Sequence, residues 1–287
     1  MGSSHAIDWV SFTYPKEEIW QGVVDEIRND ETGEIEEDRE YRIVVREMRR
    51  LAHRLEYLLP DKPDEVGQGR RGFEVSLRRP KDTPQTCFIW GGKSEIILIE
   101  IPGQGCKKLH REGRLKPLLR LYNDRVTRID IANDLECDTN PVAFAEMRGN
   151  TKFKSGGHWK SETGETVYIG SPKSDRMCRV YRYNEPHPRA NLLRIEYVLR
   201  REQAKQVARL CGSEPVDKLS LSLAQVFEWK HPAFADNTAE PLHAVPRSET
   251  GSQDTILWLH KQVRPAIQRL ISQGILDRTE VLKLLHL

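Results

Sequence analysis

The second half of the chain contains two tyrosines, an arginine and a glutamate whose types and spacing suit phosphodiester chemistry. Strand alternation places Arg179, Tyr181 and Tyr183 on one face of a predicted strand. A further strand begins at Leu192 and carries Glu196. If these strands pair, the Glu196 carboxylate faces a tyrosine across the sheet. A phenol is a nucleophile, a guanidinium holds phosphate oxygens and a carboxylate binds a divalent metal, so the group could cleave a phosphodiester.

Carboxylates recur in the strand-like run from Val126 to Asp134, where alternation places Arg128, Asp130 and Asp134 on one face. Aspartate is depleted in strands, so two on one face need an explanation. One explanation is a metal site, because hard cations such as Mg²⁺ take carboxylate oxygens. The other is an Arg128–Asp130 ion pair on a solvated face, with Asp134 capping the next helix. Spacing alone leaves both open.

Basic residues are concentrated between positions 107 and 128, although the formal net charge of the whole chain is only +2. Leucines in this stretch can form a buried stripe, which would turn the cations outward towards a polyanion. The predicted DNA-binding residues are Lys107, Lys108, Arg111, Arg114, Lys116, Arg120 and Arg128.

A second basic feature is an amphipathic helix, predicted from Tyr41 to Leu59 because apolar residues recur there at three and four positions. The other face of this helix carries Arg42, Arg46, Arg49, Arg50 and Arg54. These arginines either contact DNA or form a solvated face partly paired with Glu47 and Glu56.

Composition indicates a soluble protein, with 38% hydrophobic and 31% charged residues among 287. No run approaches 18 consecutive apolar residues and the N-terminal stretch lacks the apolar core of a signal peptide. These features predict a cytoplasmic protein without membrane contact. The five cysteines are widely and irregularly spaced, which favours buried free thiols over a disulfide framework or a zinc ribbon.

The order of predicted elements indicates an α+β fold, a largely antiparallel sheet with helices packed on one side, plus a helical C-terminal extension. The turn Pro102–Cys106 serves either as a phosphate-binding loop or as a plain connection from strand to helix. Beyond Cys211 the chain changes character. We therefore predict a catalytic domain over residues 1–210 and a helical accessory domain over residues 211–287, for DNA docking, dimerisation or partner binding.

Several segments resemble, in order and local character, the replication initiation factor family. This family comprises rolling-circle initiators of plasmids and filamentous phages, and related relaxases of integrative elements. The resemblance covers roughly residues 7 to 209, and its most specific part is YIGSPKSDRMCRVY with the downstream RIE. The segments are IDWVSFTYP, EIILIEIPGQGC, TRIDIANDL, ETVYIGSPKSDRMCRVY and LLRIEYVLR.

The resemblance implies a nicking and rejoining enzyme for single-stranded or hairpin origin DNA. In that family a tyrosine attacks the scissile phosphate, leaving a 5′-phosphotyrosyl link and a free 3′-hydroxyl that primes synthesis. Tyr181 corresponds best to this nucleophile, and Tyr183 is the alternative. Arg179 and Lys173 are the candidates for holding phosphate oxygens. A host helicase and polymerase are the partners that the resemblance implies, and a homodimer is possible.

The resemblance also implies a divalent metal, Mg²⁺ or Mn²⁺, held by Asp130 and Glu196 and less securely by Asp134. None of the nine histidines forms an HxH pair, so the histidine-cluster metal site of better-known relaxases is absent. Carboxylate ligation is therefore expected. Two rival functions stay open, a DNA-binding regulator without catalysis on the same scaffold and a metal-dependent nuclease that uses water.

Overall fold

The computed structural model of the protein describes residues 3–15, 37–70, 72–92, 96–149, 155–161, 164–182, 192–243, 263–274 and 277. The chain divides into two compact units, Met1–Val245 and Pro246–Leu287. The first unit contains the sheet and the candidate site described below.

A single antiparallel sheet forms the centre of the first unit. Numbered along the chain, its strands are β1 (Ser3–Pro15), β2 (Glu65–Gln68), β3 (Val75–Arg78), β4 (Phe88–Gly91), β5 (Ile96–Pro102), β6 (Val126–Glu136), β7 (Ser155–Ser161), β8 (Gly164–Ile169), β9 (Arg176–Arg182) and β10 (Leu192–Arg200). They lie in the order β2-β3-β4-β5-β1-β6-β10-β9-β8-β7. Every neighbouring pair in this order is antiparallel.

Helices pack on one face of this sheet. They are α1 (Glu37–Arg54), α2 (Gly103–Arg111), α3 (Leu115–Tyr122), α4 (Pro141–Glu146), α5 (Arg201–Ser213) and α6 (Val216–Phe227), with short 3₁₀ turns at Asn123–Arg125 and Pro232–Phe234. Their apolar residues and one face of each strand form a common hydrophobic core. The predicted α+β fold, with a largely antiparallel sheet and helices on one side, is confirmed.

Alternation along the strands separates a buried face from a polar one. In β1, Val10 and Phe12 are buried in the core under the helices. On the opposite face Trp9, Arg179 and Tyr181 are only half-buried. We call this second side the polar face. It also carries the residues that lie directly opposite these three in the neighbouring strands.

The connection from β5 to α2 shows why two glycines occur in the turn after Pro102. A Cβ on Gly105 would lie 2.1 Å from the carbonyl oxygen of Thr86, and one on Gly103 would lie 2.6 Å from Asp8 Oδ1. The glycines therefore allow close packing at the start of the helix. The turn thus connects strand to helix with close packing, and its alternative use as a phosphate-binding loop stays a prediction.

Helix α1 ends at Arg54, earlier than the predicted end at Leu59. Residues 55–58 form a turn before Pro60. The backbone N–H groups of Glu56 and Leu58 donate to carbonyls three residues earlier, so the chain tightens into a turn while Leu55 and Leu59 stay buried.

The first compact unit extends well beyond residue 211, where the sequence suggested a boundary. Helix α5 runs through this position, and Leu223 and Phe227 of α6 are buried in the common core. The division lies at Val245/Pro246 instead. In the second unit one helix is described, α7 (Arg264–Ser272). Within the described ranges no helix is long and apolar enough to cross a membrane.

Candidate active site

Three neighbouring strands, β6, β10 and β9, bring together most of the residues predicted to do chemistry. Across β10 and β9, Glu196 lies opposite Arg179, and Arg194 lies opposite Tyr181. Across β10 and β6, Glu196 lies opposite Ala132. Because directly opposite residues point to the same side of a sheet, these side chains share the polar face. The predicted pairing of the strands carrying Tyr181 and Glu196 is confirmed.

The Tyr181 hydroxyl donates a hydrogen bond of 2.9 Å to Glu196 Oε2. Burial raises the pKa of Tyr181 well above its usual value, and the negative charge of Glu196 raises it further. The positive charges of Arg194 and Arg179 oppose this rise only in part. The phenol is therefore held protonated, and the carboxylate fixes its orientation.

Arg179 bridges two carboxylates. One guanidinium nitrogen donates to Glu196 Oε1 and lies 3.5 Å from Asp130 Oδ2. Burial acts to lower the pKa of Arg179, but attraction to both carboxylates outweighs burial and raises it. Burial conversely acts to raise the pKa of Glu196, but the Arg179 charge and hydrogen bonds lower it. The Arg179 side chain is still 29% exposed, so the guanidinium can also meet a phosphate oxygen.

Asp130 is completely buried beside Glu196. The guanidinium of Arg128 binds both carboxylate oxygens of Asp130, with an Nε–Oδ1 distance of 2.9 Å. The same guanidinium lies 4.8 Å from the centre of the Trp9 ring. Burial raises the pKa of Asp130 to about 7; Arg128 opposes this rise and the neighbouring Glu196 adds to it. The Arg128–Asp130 ion pair predicted by one alternative is therefore formed, but Asp130 is buried and does not lie on a solvated face.

Asp134 is clamped by a different arginine. Arg194 Nε lies 2.6 Å from Asp134 Oδ1, and Arg194 Nη2 lies 2.8 Å from Oδ2. The same guanidinium reaches Asp8 Oδ2 at 3.2 Å. Since one arginine engages both oxygens, Asp134 stands apart from the pair formed by Asp130 and Glu196. The alternative that Asp134 caps a helix is wrong, because strand β6 continues to Glu136.

The donor set can be tested for its fit to a divalent metal. Among the described residues, no group of three or more His, Cys, Asp or Glu side chains could surround an ion. Asp130 and Glu196 nevertheless both contact Arg179, and each carboxyl group affects the pKa of the other, an arrangement that favours a shared proton or a cation. Mg²⁺ commonly takes one or two protein carboxylates and completes its shell with water and phosphate oxygens. Asp130 and Glu196 both contact Arg179 and could share such an ion if it displaced part of the arginine contacts, whereas Arg194 joins Asp134 to Asp8 instead.

Trp159 extends the polar face towards the edge of the sheet. It lies opposite Thr166, which in turn lies opposite Tyr181, so the three residues form one row across β7, β8 and β9. Two strand spacings separate the tryptophan from the tyrosine, roughly 10 Å. Trp159 is 52% exposed, which is unusual for so large an apolar ring.

Lys173 lies away from this cluster, in the turn between β8 and β9. It is exposed, and its backbone N–H donates to Ser171 Oγ at 3.2 Å. Eight residues of mostly extended chain separate it from Tyr181, a span of up to roughly 26 Å. Its role in holding phosphate oxygens therefore stays a prediction. Tyr183, the alternative nucleophile, lies outside the described residues.

The residues predicted to form a basic patch do not share one surface. Arg128 belongs to the polar face, whereas the others belong to α2, α3 and the turn between these helices. Several are bound to acceptors within the protein: Lys108 to Asp61 at 2.6 Å, Arg114 to the Tyr57 carbonyl at 2.8 Å, and Arg120 to the Gly212 carbonyl at 2.9 Å. Lys107, Arg111 and Lys116 are exposed.

Sequence reasoning missed Asp8 and Trp9 in β1. The register with β6 shifts between Ile7 and Trp9, so Asp8 is the extra residue of a β-bulge, and it contacts Arg194. Burial raises the pKa of Asp8, and the charge of Arg194 opposes this rise. An aspartate within an apolar strand pattern was the available signal.

Comparison with known proteins places this geometry on a known fold. The chain matches no protein-family model and no curated protein. It is similar to a solved structure described as a rolling circle replication initiator protein from Geobacillus stearothermophilus, with a TM-score of 0.52 and 18% sequence identity. The match covers 85% of this chain and 93% of that chain. The chain therefore has the fold of a rolling-circle replication initiator, in agreement with the family resemblance of its sequence.

Proposed function

We propose that this protein nicks and rejoins one strand of origin DNA, and so initiates rolling-circle replication or the transfer of a mobile element. The observation that carries the proposal is the contact between the Tyr181 hydroxyl and Glu196, on the polar face of a replication-initiator fold. The contact joins a nucleophile to a proton acceptor, and Arg179 contributes positive charge beside them.

In the proposed reaction Tyr181 Oη attacks the scissile phosphorus and the bond from phosphorus to the 3′-oxygen breaks. The phenolic proton passes to Glu196 Oε2, its hydrogen-bond acceptor. The 5′-phosphate becomes esterified to Tyr181. The leaving 3′-oxygen takes a proton from water to become a free hydroxyl, and Glu196 releases the phenolic proton to solvent. Attack of a 3′-hydroxyl on the phosphotyrosyl link reverses these steps and rejoins the strand.

Charge on the phosphate must be balanced by cations in this step. Arg179 approaches the developing charge from the same row as Glu196, and Arg128 neutralises the buried Asp130. A divalent cation held by Asp130 and Glu196 would supply further positive charge to the phosphate and weaken the negative field that keeps Tyr181 protonated. The other predicted partners, a host helicase, a polymerase or a second copy of the chain, belong to the same proposal.

The test is incubation of the protein with a labelled origin-type hairpin oligonucleotide, with Mg²⁺ or Mn²⁺ and with chelator, read as covalent adduct on a denaturing gel. Tyr181→Phe should abolish the adduct, and Tyr183→Phe is the matched control that should retain it. Loss of the adduct in Tyr183→Phe alone would move the nucleophile two residues along the strand. Cleavage without an adduct in all proteins would favour a nuclease that uses water, and binding without cleavage would favour a regulator.

A further inference from the structure

Arg200 is a half-buried arginine at the end of β10 to which the mechanism assigns no role. Alternation along the strand places it on the polar face together with Arg194 and Glu196. Its Nη1 is closed off from solvent and has no hydrogen-bond partner. Within the described ranges no carboxylate forms an ion pair with Arg200, whereas Arg194 binds Asp134 and Arg179 contacts Glu196. A buried N–H donor normally has an acceptor, so this one indicates that a ligand group is missing.

The surroundings of Arg200 are positively charged. Arg128 lies directly opposite it in β6. Burial lowers the pKa of Arg200, and the charges of Arg128, Arg179 and Arg201 lower it further, opposed by Asp130. An anion bound at Arg200 would relieve this repulsion and replace the lost water.

The carboxylates nearest to Arg200 are already bound by other arginines. Arg128 binds Asp130 with both carboxylate oxygens engaged, and Arg179 contacts both Asp130 and Glu196. Three guanidinium groups therefore meet two carboxylates in this part of the polar face. The charge of Arg200 is the excess, and it is available to a ligand.

The backbone fixes the position of Arg200. Its N–H donates to the carbonyl of Asp175 at 2.9 Å. The next residue, Arg201, begins α5 with a φ of 51°, a left-handed conformation that residues other than glycine rarely adopt. Such strain persists only where the surrounding structure imposes it, and it often accompanies functional sites. Arg200 is thus held in place as the last residue of the strand.

The distance from Tyr181 to Arg200 suits a neighbouring phosphate of the same strand. Tyr181 lies opposite Arg194, and Arg200 follows Arg194 by six residues, a separation of roughly 20 Å along β10. Arg179 lies between the two ends of this path. Phosphates of a stacked strand follow at 3.4 Å, so a strand lying along β10 places at most about six nucleotides between Tyr181 and Arg200. The two acids that Arg194 binds lie at the Tyr181 end of the path.

We propose that the Arg200 guanidinium binds one backbone phosphate of the single strand, a few nucleotides from the scissile phosphate and beyond Arg179. This inference rests on the proposed function for the identity of the strand. It gives the buried Nη1 its acceptor, and it fixes the register in which the strand crosses the polar face.

The test measures binding by fluorescence anisotropy in the Tyr181→Phe background, so that the DNA stays uncut. The ligand is a labelled single-stranded oligonucleotide that covers the nick site and more than about six nucleotides on either side. In a series of such ligands one phosphate at a time is replaced by an uncharged methylphosphonate. Arg200→Gln is the variant, Arg200→Lys keeps the charge, and Arg209→Gln is the matched control that removes a charge from the exposed face of α5.

The unmodified oligonucleotide should bind Arg200→Gln roughly tenfold more weakly, with a salt slope smaller by about 0.7, the value for one phosphate contact on a single strand. In the parent protein, one methylphosphonate position away from the nick site should weaken binding by a similar factor. In Arg200→Gln that position should cost nothing further, while the other sensitive positions remain. Arg200→Lys should keep the salt slope, and Arg209→Gln should behave as the parent.

Two results would overturn the inference. One is the same set of sensitive positions in Arg200→Gln as in the parent, or equal losses in Arg200→Gln and Arg209→Gln. The other is a melting temperature that falls in Arg200→Gln, because a side chain without a protein partner among like charges should not stabilise the fold. Absence of a covalent adduct with wild type would instead contradict the proposed function, since binding is measured on uncut DNA.

Discussion

Glu196 binds two side chains of strand β9 through separate oxygens: Oε2 accepts from Tyr181 and Oε1 accepts from Arg179. Tyr181 and Arg179 are two residues apart and on the same face, so one carboxylate orders both the nucleophile and the nearest cation. Any change in the charge of Glu196 is therefore expected to alter the hydrogen bonds of the Tyr181 phenol and the Arg179 guanidinium together.

Metal binding should distinguish the three carboxylates on the polar face. Asp130→Asn and Glu196→Gln are each expected to weaken Mn²⁺ binding at least tenfold, because each removes one of two adjacent ligands. Asp134→Asn should change the affinity little, since Arg194 joins Asp134 to Asp8 rather than to Asp130 and Glu196. Isothermal titration calorimetry without DNA gives the affinities, and a comparable loss in Asp134→Asn would show that this residue is also a ligand.

Trp159 is predicted to stack on a base beside the scissile phosphate, because it is exposed in the same row as Tyr181. Trp159→Ala should weaken binding of the single-stranded segment about 5- to 100-fold, as base stacking is worth roughly 1–3 kcal/mol. Trp159→Phe should retain most of the affinity. Anisotropy measures both variants, and equal losses in the two would indicate a role other than stacking.

A buried hydrogen bond should couple β10 to the segment that follows α6. Trp229 Nε1 donates to the Tyr197 hydroxyl at 3.0 Å, and both side chains are buried. Tyr197→Phe leaves the indole N–H without this partner, so the free energy of unfolding should fall by about 1–3 kcal/mol. Urea unfolding of Tyr197→Phe, Trp229→Phe and the double variant tests the coupling, and strictly additive losses would contradict it.

Stability should depend on pH through His231. Burial lowers the pKa of His231 from its usual 6.5, and Nδ1 accepts from the Ala233 N–H at 3.2 Å. The neutral ring is favoured in the folded state, so the contribution of His231 to the free energy of unfolding is full above pH 6.5. This contribution is lost as the pH falls through 6.5 towards the lowered pKa. Melting temperatures between pH 7.5 and 5.5 measure this loss. His231→Asn keeps an acceptor at the helix start but cannot titrate, so its profile should be flatter; identical profiles would exclude this histidine as the cause.

Truncation tests the extent of the first compact unit. A chain ending at residue 245 should unfold cooperatively, because it keeps α6 and the backbone carbonyls of Leu242 and His243 that Arg176 binds. A chain ending at residue 210 should fail to fold, because it loses the buried Leu223 and Phe227. Thermal unfolding followed by circular dichroism decides between the boundaries. A cooperative transition in the shorter chain would support the predicted domain boundary near residue 211.

Local pattern predicted the elements that carry the site. Alternation in β9 and β10 and periodicity in α1 depend on neighbouring residues alone, so the faces of Tyr181, Glu196 and the α1 arginines follow from the sequence. The helix end at Arg54 was missed because apolar periodicity continues into the turn before Pro60.

Long-range partners could not be predicted in this way. Lys108 and Arg120 look available in sequence, yet their acceptors, Asp61 and Gly212, lie 47 and 92 residues away. Arg194 likewise joins Asp134 to Asp8 through a bulge that no local pattern specifies. Such contacts decide which charges remain for ligands, and they depend on the strand order.

Strand β1 lies between β5 and β6 in the middle of the sheet, although it precedes both along the chain. During synthesis its first partner, β5, begins about 80 residues after β1 ends, which at roughly 5–20 residues per second is a delay of about 4–16 seconds. For that time an apolar, alternating strand has both edges unpaired. Production of this protein is therefore expected to respond to chaperones that shield nascent β-segments and to slower growth at low temperature.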